Sequence, residues 1–135
     1  MRTILAIDPG RSKCGVAVVR GDAKVIAILA RVICEVEDLP LILSQYCLEY
    51  SPEVLVVGNG TNSKSIQKLV RTALPALPLL IVDERDTSLR AREKYWEVTP
   101  KRGWRRLLPS SLLDPGKPID DFAAVVLAER ALRVE

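Results

Sequence analysis

The sequence predicts an α/β fold: a mixed five-stranded sheet, three strands antiparallel and then two parallel, with helices on both faces. Three apolar, strand-like runs follow one another from the N-terminus, separated only by turn residues. Two further short apolar runs then alternate with segments of helical spacing, the order that implies parallel pairing. The first run is continuously apolar rather than alternating, as in strands covered on both faces.

Each element follows from its residues. Thr3 to Ile7 (TILAI) is short, continuous and rich in β-branched side chains, and Cys14 to Val19 (CGVAVV) is the second strand. Arg20 to Ala23 supplies turn residues, so Lys24 to Ile33 (KVIAILARVI) pairs back as a hairpin. EDLPLILSQYCLEYS then places Leu39, Leu43, Tyr46, Cys47 and Tyr50 on one helical face. Val54 to Val57 is a fourth strand closed by glycines. TNSKSIQKLVRTAL is a helix with Ile66, Leu69, Val70 and Leu74 at helical intervals. Leu79 to Val82 is the fifth strand, and SLRAREKYWEV a helix with Leu89, Tyr95 and Trp96 as its apolar members. From Thr99 to Pro118 prolines, glycines and basic residues read as a loop. IDDFAAVVLAERALRV closes the chain as a helix that buries Ile119, Phe122, Ala123, Val126 and Leu127. No repeat or linker divides residues 1–135, which are expected to form a single domain.

Composition narrows the chemistry. The 135 residues are 48% hydrophobic and 27% charged, an ordinary balance for a globular protein. No run approaches the roughly 20 apolar residues that span a bilayer, and no membrane partner is expected. Cys14, Cys34 and Cys47 are scattered among apolar residues and read as reduced core thiols of a cytoplasmic protein. There is no histidine, which excludes Ser-His-Asp and Cys-His catalysis and histidine as a metal ligand. Acid–base or metal chemistry therefore rests on carboxylates.

Four carboxylates stand where such sheets collect function, at the carboxyl ends of strands and at helix starts. Asp8 follows the first strand, Glu84 the fifth, and Asp120 and Asp121 open the last helix. With the first and fifth strands near the sheet's centre, Asp8 and Glu84 project beyond one edge, and the last helix delivers Asp120 between them. Converging carboxylates repel one another and are stable together mainly around a cation. Hard oxygen ligands without His or Cys point to Mg²⁺ or Mn²⁺, the ions of phosphodiester hydrolysis. Each acid also has an ordinary reading taken alone: Asp8-Pro9-Gly10 as a turn, Glu84 as a solvated strand end, Asp120 as a helix cap.

The blocks ILAIDPGRSKCGVAVV, VLVVG, IVDERDTS and IDDFAAVVLAERAL resemble, in order and spacing, the YqgF/RuvX proteins of the RNase H-like nuclease superfamily. Val82 to Ser88 carries the most specific part of the likeness. The resemblance implies an RNase H-like fold and a metal-dependent nuclease. Such proteins have long been named Holliday junction resolvases and are now associated mostly with maturation of the 5′ end of pre-16S ribosomal RNA. It implies catalytic and metal-holding roles for Asp8, Glu84 and Asp120, and Arg85, Thr87 and Ser88 shaping the site or touching phosphate, although Thr87 or Ser88 could equally cap a helix. The chain departs from the family at GNGTNS, where Gly-x-Pro is usual, and in its longer segment 99–118. Gly58 and Gly60 still permit close backbone approach to a phosphate.

Positive charge gathers beside the acids. Lys101, Arg102, Arg105, Arg106 and Lys117 face a single acid, Asp114, and with Arg90, Arg92 and Lys94 they would border a phosphate backbone. Arg11 and Lys13 fit the same rim. Trp104 is placed to stack on an unpaired base or to anchor the loop. The expected partner is therefore nucleic acid, an rRNA precursor or branched DNA, bound by a monomer or homodimer. Two rivals differ in class: an RNase H-like module that binds RNA without cutting, and an actin-like ATPase, which needs two such domains where this chain has room for one.

Overall fold

The computed structural model describes residues 1–99, 103, 107 and 118–134. Five strands, β1 (Arg2–Asp8), β2 (Lys13–Gly21), β3 (Ile26–Glu35), β4 (Val54–Gly58) and β5 (Leu79–Val82), form one sheet in the order β3-β2-β1-β4-β5. The first three are antiparallel, and β4 and β5 run parallel to β1. This is the expected architecture with one correction. β1 is central, but β5 is an edge strand with β4 lying between them.

β3 starts two residues later than expected. Asp22 Oδ1 accepts the N–H groups of Lys24 and Val25 (2.8 and 2.9 Å), which keeps those residues in the hairpin turn. On one face lie α1 (Leu39–Tyr50) and α2 (Ser63–Ala73), and on the other α4 (Asp120–Val134). α3 (Thr87–Val98) packs on α4 through Tyr95, Trp96 and Phe122.

Strand alternation explains the two cores. Leu5, Ile7, Val16, Val18, Leu55 and Val57 meet Leu39, Leu43, Ile66 and Val70 of α1 and α2. Each such leucine or isoleucine, fully buried, contributes roughly 1.5–3 kcal/mol. The intervening residues Ile4, Ala6, Ala17, Val19, Val54 and Val56 meet α4. Here the strands carry Ala6 and Ala17 while α4 presents Ala124, Ala128 and Ala131, so the helix seats close on β1 and β2. With the sheet beneath and α3 alongside, α4 is buried all round from Phe122 to Ala128. Leu89, expected inside, is 45% exposed, and Ala91 takes the inward position on α3.

Candidate active site

The site is built on one row across the carboxyl end of the sheet. Asp8 pairs with Gly15 of β2, and Ile7 pairs with Val57 of β4, so Gly58 is the next step beside Asp8. Ile4, Ala6 and Asp8 share the α4 face, as do Val54, Val56 and Gly58. The central acid is thus flanked by two glycines on its own face. A Cβ on Gly15 would run into the Asp120 carbonyl and the Asp121 N–H, so the missing side chain is what lets α4 begin there. A Cβ on Gly58 or Gly60 would run into the Glu84 carboxylate. These two glycines admit a carboxylate of this chain where a phosphate was expected.

Glu84 reaches Asp8 over the end of β4. Asn59 Oδ1 accepts the Glu84 N–H (3.1 Å), and the Asn59 N–H donates to the Val82 carbonyl (3.0 Å), which binds the turn after β5 to the turn after β4. Asp86 takes a left-handed φ of 61°, and the Thr87 hydroxyl and N–H both donate to the Glu84 carbonyl (2.8 and 3.1 Å). Asn62, also left-handed, donates from Nδ2 to the Gly10 carbonyl (2.9 Å) and ties the turn after β1 to the start of α2.

The electrostatics show that the acids converge. Asp8 is pushed up to about 8 by burial first, then by the adjacent Glu84 carboxylate, and then by the charge of Asp120. The Cys14 thiol is raised by burial and, more weakly, by the charges of Asp8 and Asp120. Glu84 Oε1 is buried and accepts no hydrogen bond among the described residues. Two neighbouring acids, one raised by the other and one with an orphaned buried oxygen, fit a hard divalent cation that would supply the missing partner. Among the described residues no three metal-ligating side chains stand close enough to hold an ion together, so the fit is that of a pair with Asp120 at hand.

The remaining expected residues divide. Asp121, expected among the metal-holding acids, is turned away: its Oδ2 accepts from Arg31 Nη1 (2.9 Å) and its Oδ1 from the Phe122 N–H (3.0 Å). Thr87, expected to face nucleic acid, is buried and holds the Glu84 backbone instead. Arg11, Lys13, Arg85 and Ser88 are exposed, with Arg85 Nε 4.0 Å from Asp83 Oδ2. Arg90 pairs with Glu93 (3.1 Å), and Lys94 with Glu97 and Glu129 (3.3 and 3.1 Å), so these two brace helices rather than present free charge. Lys101, Arg102, Trp104, Arg105, Arg106 and Lys117 lie outside the described residues. Sequence reasoning passed over Gly15 and Arg31. Gly15 had a signal, since a lone glycine inside a strand marks close approach of another backbone. Among the described residues no helix is long and apolar enough to cross a membrane.

No family model and no curated protein matches the sequence. Solved structures do match over nearly the whole chain. The Thermus thermophilus RuvC structure is similar with a TM-score of 0.65 at 14% identity, covering 98% of this chain and 94% of that one. T. thermophilus RuvC in complex with a Holliday junction substrate aligns at 0.62 and 13% identity, over 99% and 96% of the two chains. The Fowlpox virus resolvase, solved with its Holliday junction DNA, aligns at 0.65 and 12% identity, over 98% and 97%. At such identities the likeness is one of fold, and the fold is RNase H-like, of the RuvC kind.

Proposed function

We propose that this chain is a divalent-metal-dependent endonuclease acting on structured nucleic acid. The observation that carries the reading is the meeting of Asp8 and Glu84 at the sheet's carboxyl edge, with Asp120 beside them and an unpartnered buried oxygen on Glu84. Asp8 and Glu84 would hold Mg²⁺ or Mn²⁺, with Asp120 at hand. The ion, when bound, supplies Lewis-acid activation of water and offsets charge on the departing 3′ oxygen. The chain's own part is to position. Gly15 and Gly58 keep the row open for the acids, Asn59 and Thr87 fix the Glu84 backbone, and exposed Arg11, Lys13, Arg85 and Ser88 border the approach for phosphates.

The resemblance to YqgF/RuvX proteins, carried by Val82 to Ser88 and the Asp8 strand, favours the 5′ end of pre-16S ribosomal RNA as substrate. A second reading, cleavage of four-way DNA junctions, is favoured by the Fowlpox virus and Thermus structures solved with Holliday junctions, which share the fold across the whole chain. Pure protein incubated with labelled rRNA precursor and with a four-way junction, each with Mn²⁺ and with EDTA, decides between them. Metal-dependent cutting of one substrate and loss with Asp8→Asn are expected. Cleavage that survives EDTA or Asp8→Asn would sink the mechanism, and binding without cutting would make the chain an RNA-binding module.

A further inference from the structure

Two adjacent acids open α4, and only one of them can face the site. Successive helical residues are about 100° apart around the axis, so fixing the direction of one fixes the other. Asp121 is 7% exposed and is held on both oxygens, by Arg31 Nη1 at 2.9 Å and by the Phe122 N–H at 3.0 Å. Arg31 lies on β3, opposite Ala17 of β2, and so on the α4 face. Its guanidinium carbon sits 4.3 Å from the centre of the Phe122 ring. That ring in turn meets Tyr95 of α3 edge-on, with centroids 5.6 Å apart. The first turn of α4 is thus clamped from below at Gly15 and from the side by Arg31.

The sheet order gives this clamp a direction. β3 and β1 lie on opposite sides of β2, so Asp121 is drawn to the β3 side while the charge of Asp120 falls on Asp8 of β1. We infer that Arg31 is a positioning residue: by holding Asp121 toward β3 it leaves Asp120 on the side of Asp8 and sets which of the two acids stands by the site. The inference rests on the metal-dependent reading above. Arg31 touches no member of the acid pair. It acts through Asp121 and the first turn of α4, one contact further out than the groups that bond a metal ligand directly, whose loss commonly costs 10–100-fold in metal affinity or activity.

The exposed part of Arg31 offers a competing role as a direct phosphate contact, and a double-mutant cycle separates the two. Arg31→Met keeps an apolar stem over Phe122 and removes the ion pair; Asp121→Asn removes the other half; Arg31→Lys restores the charge. The full chain carrying each change, and the Arg31→Met/Asp121→Asn pair, is titrated with Mn²⁺ by electron paramagnetic resonance without nucleic acid. Cleavage of whichever substrate the wild type cuts is measured alongside. Arg31→Met is expected to weaken Mn²⁺ binding about tenfold and to lower kcat with KM for nucleic acid nearly unchanged. Asp121→Asn should do the same, the double variant no more, and Arg31→Lys should recover most of the loss. Should Arg31→Met not fold, Asp121→Asn and Arg31→Lys carry the comparison. Unchanged Mn²⁺ affinity, or a loss confined to KM and additive in the double variant, would overturn the inference. A wild type that binds Mn²⁺ without cutting defeats the nuclease reading alone, because the affinities still score Arg31. A wild type that binds no Mn²⁺ overturns both.

Discussion

The two faces of the sheet are made from alternate residues of the same strands, yet they end differently at the carboxyl edge of β1. On the α1–α2 face the apolar set runs to the edge through Ile7, Cys14 and Val57, all fully buried. On the α4 face it stops one step short, and the edge row is Gly15, Asp8 and Gly58. The first arrangement gains hydrophobic burial up to the last residue. The second gives up that burial, brings carboxylates together against their own repulsion and leaves a buried oxygen without a donor. Packing that a stable fold alone would favour has been withheld at one place, and a candidate site stands there.

The contrast is broken most severely at Asp8. Asp8→Asn is expected to reduce cleavage on the order of 10³-fold or more while raising the melting temperature of the metal-free protein at pH 8. A calorimetric scan beside the cleavage assay checks both, and a variant that loses stability at pH 8 would contradict the like-charge account.

Next in size is the opposite face. Leu43→Ala leaves a cavity between α1 and the sheet, and about 2–5 kcal/mol of stability is expected to go, with the cleavage rate of the remaining folded molecules unchanged. Urea unfolding paired with rate measurement at low temperature tests it.

The two glycines sharpen the comparison. Gly15→Ala drives a methyl into the Asp120–Asp121 backbone, which cannot rotate aside, and a loss of roughly 1–3 kcal/mol is expected together with lost activity. Gly58→Ala meets only the flexible end of Glu84. It should keep its stability and lose activity, and the Asp8 carboxyl should return toward its ordinary value as Glu84 swings out. Carboxyl titration by NMR reads that shift.

A further effect is on pH dependence. In the fold Asp8 keeps its proton to about 8 against an ordinary 3.8, so between these values the native state binds more protons than the unfolded chain. Stability of the metal-free protein is therefore full below about pH 4 as far as this group is concerned. It falls as pH rises toward 8 and levels off above. Asp8→Asn should remove that slope, and Mg²⁺ at pH 8 should restore part of the lost melting temperature.

Much of this was legible from local pattern. The run Leu79–Val82 was bounded correctly because a short apolar stretch between a proline and a charged turn has few alternatives. Asp8, Glu84 and Asp120 were recognisable as acids at element ends without any contact being known. What stayed hidden depends on residues far apart in the chain. Asp120 and Asp121 are indistinguishable in sequence, and what separates them is Arg31, 90 residues from Asp121. Thr87 read equally as a phosphate contact or a helix cap, because a hydroxyl after a charged run suits either, and only the fold gives it the Glu84 carbonyl. Lys94 looked like a rim cation until α4 brought Glu129 beside it.

The sequence by itself determined the elements, their order and the exclusion of histidine chemistry, because propensity, periodicity and composition act over a few residues. Tertiary structure alone decided that β4 lies between β1 and β5. Glu84 therefore reaches Asp8 only across Gly58 and Gly60, and α4 can start against β2 only because residue 15 has no side chain. Which strands are neighbours, and how closely two backbones approach, are settled by packing the whole chain, and no local window of residues contains that information.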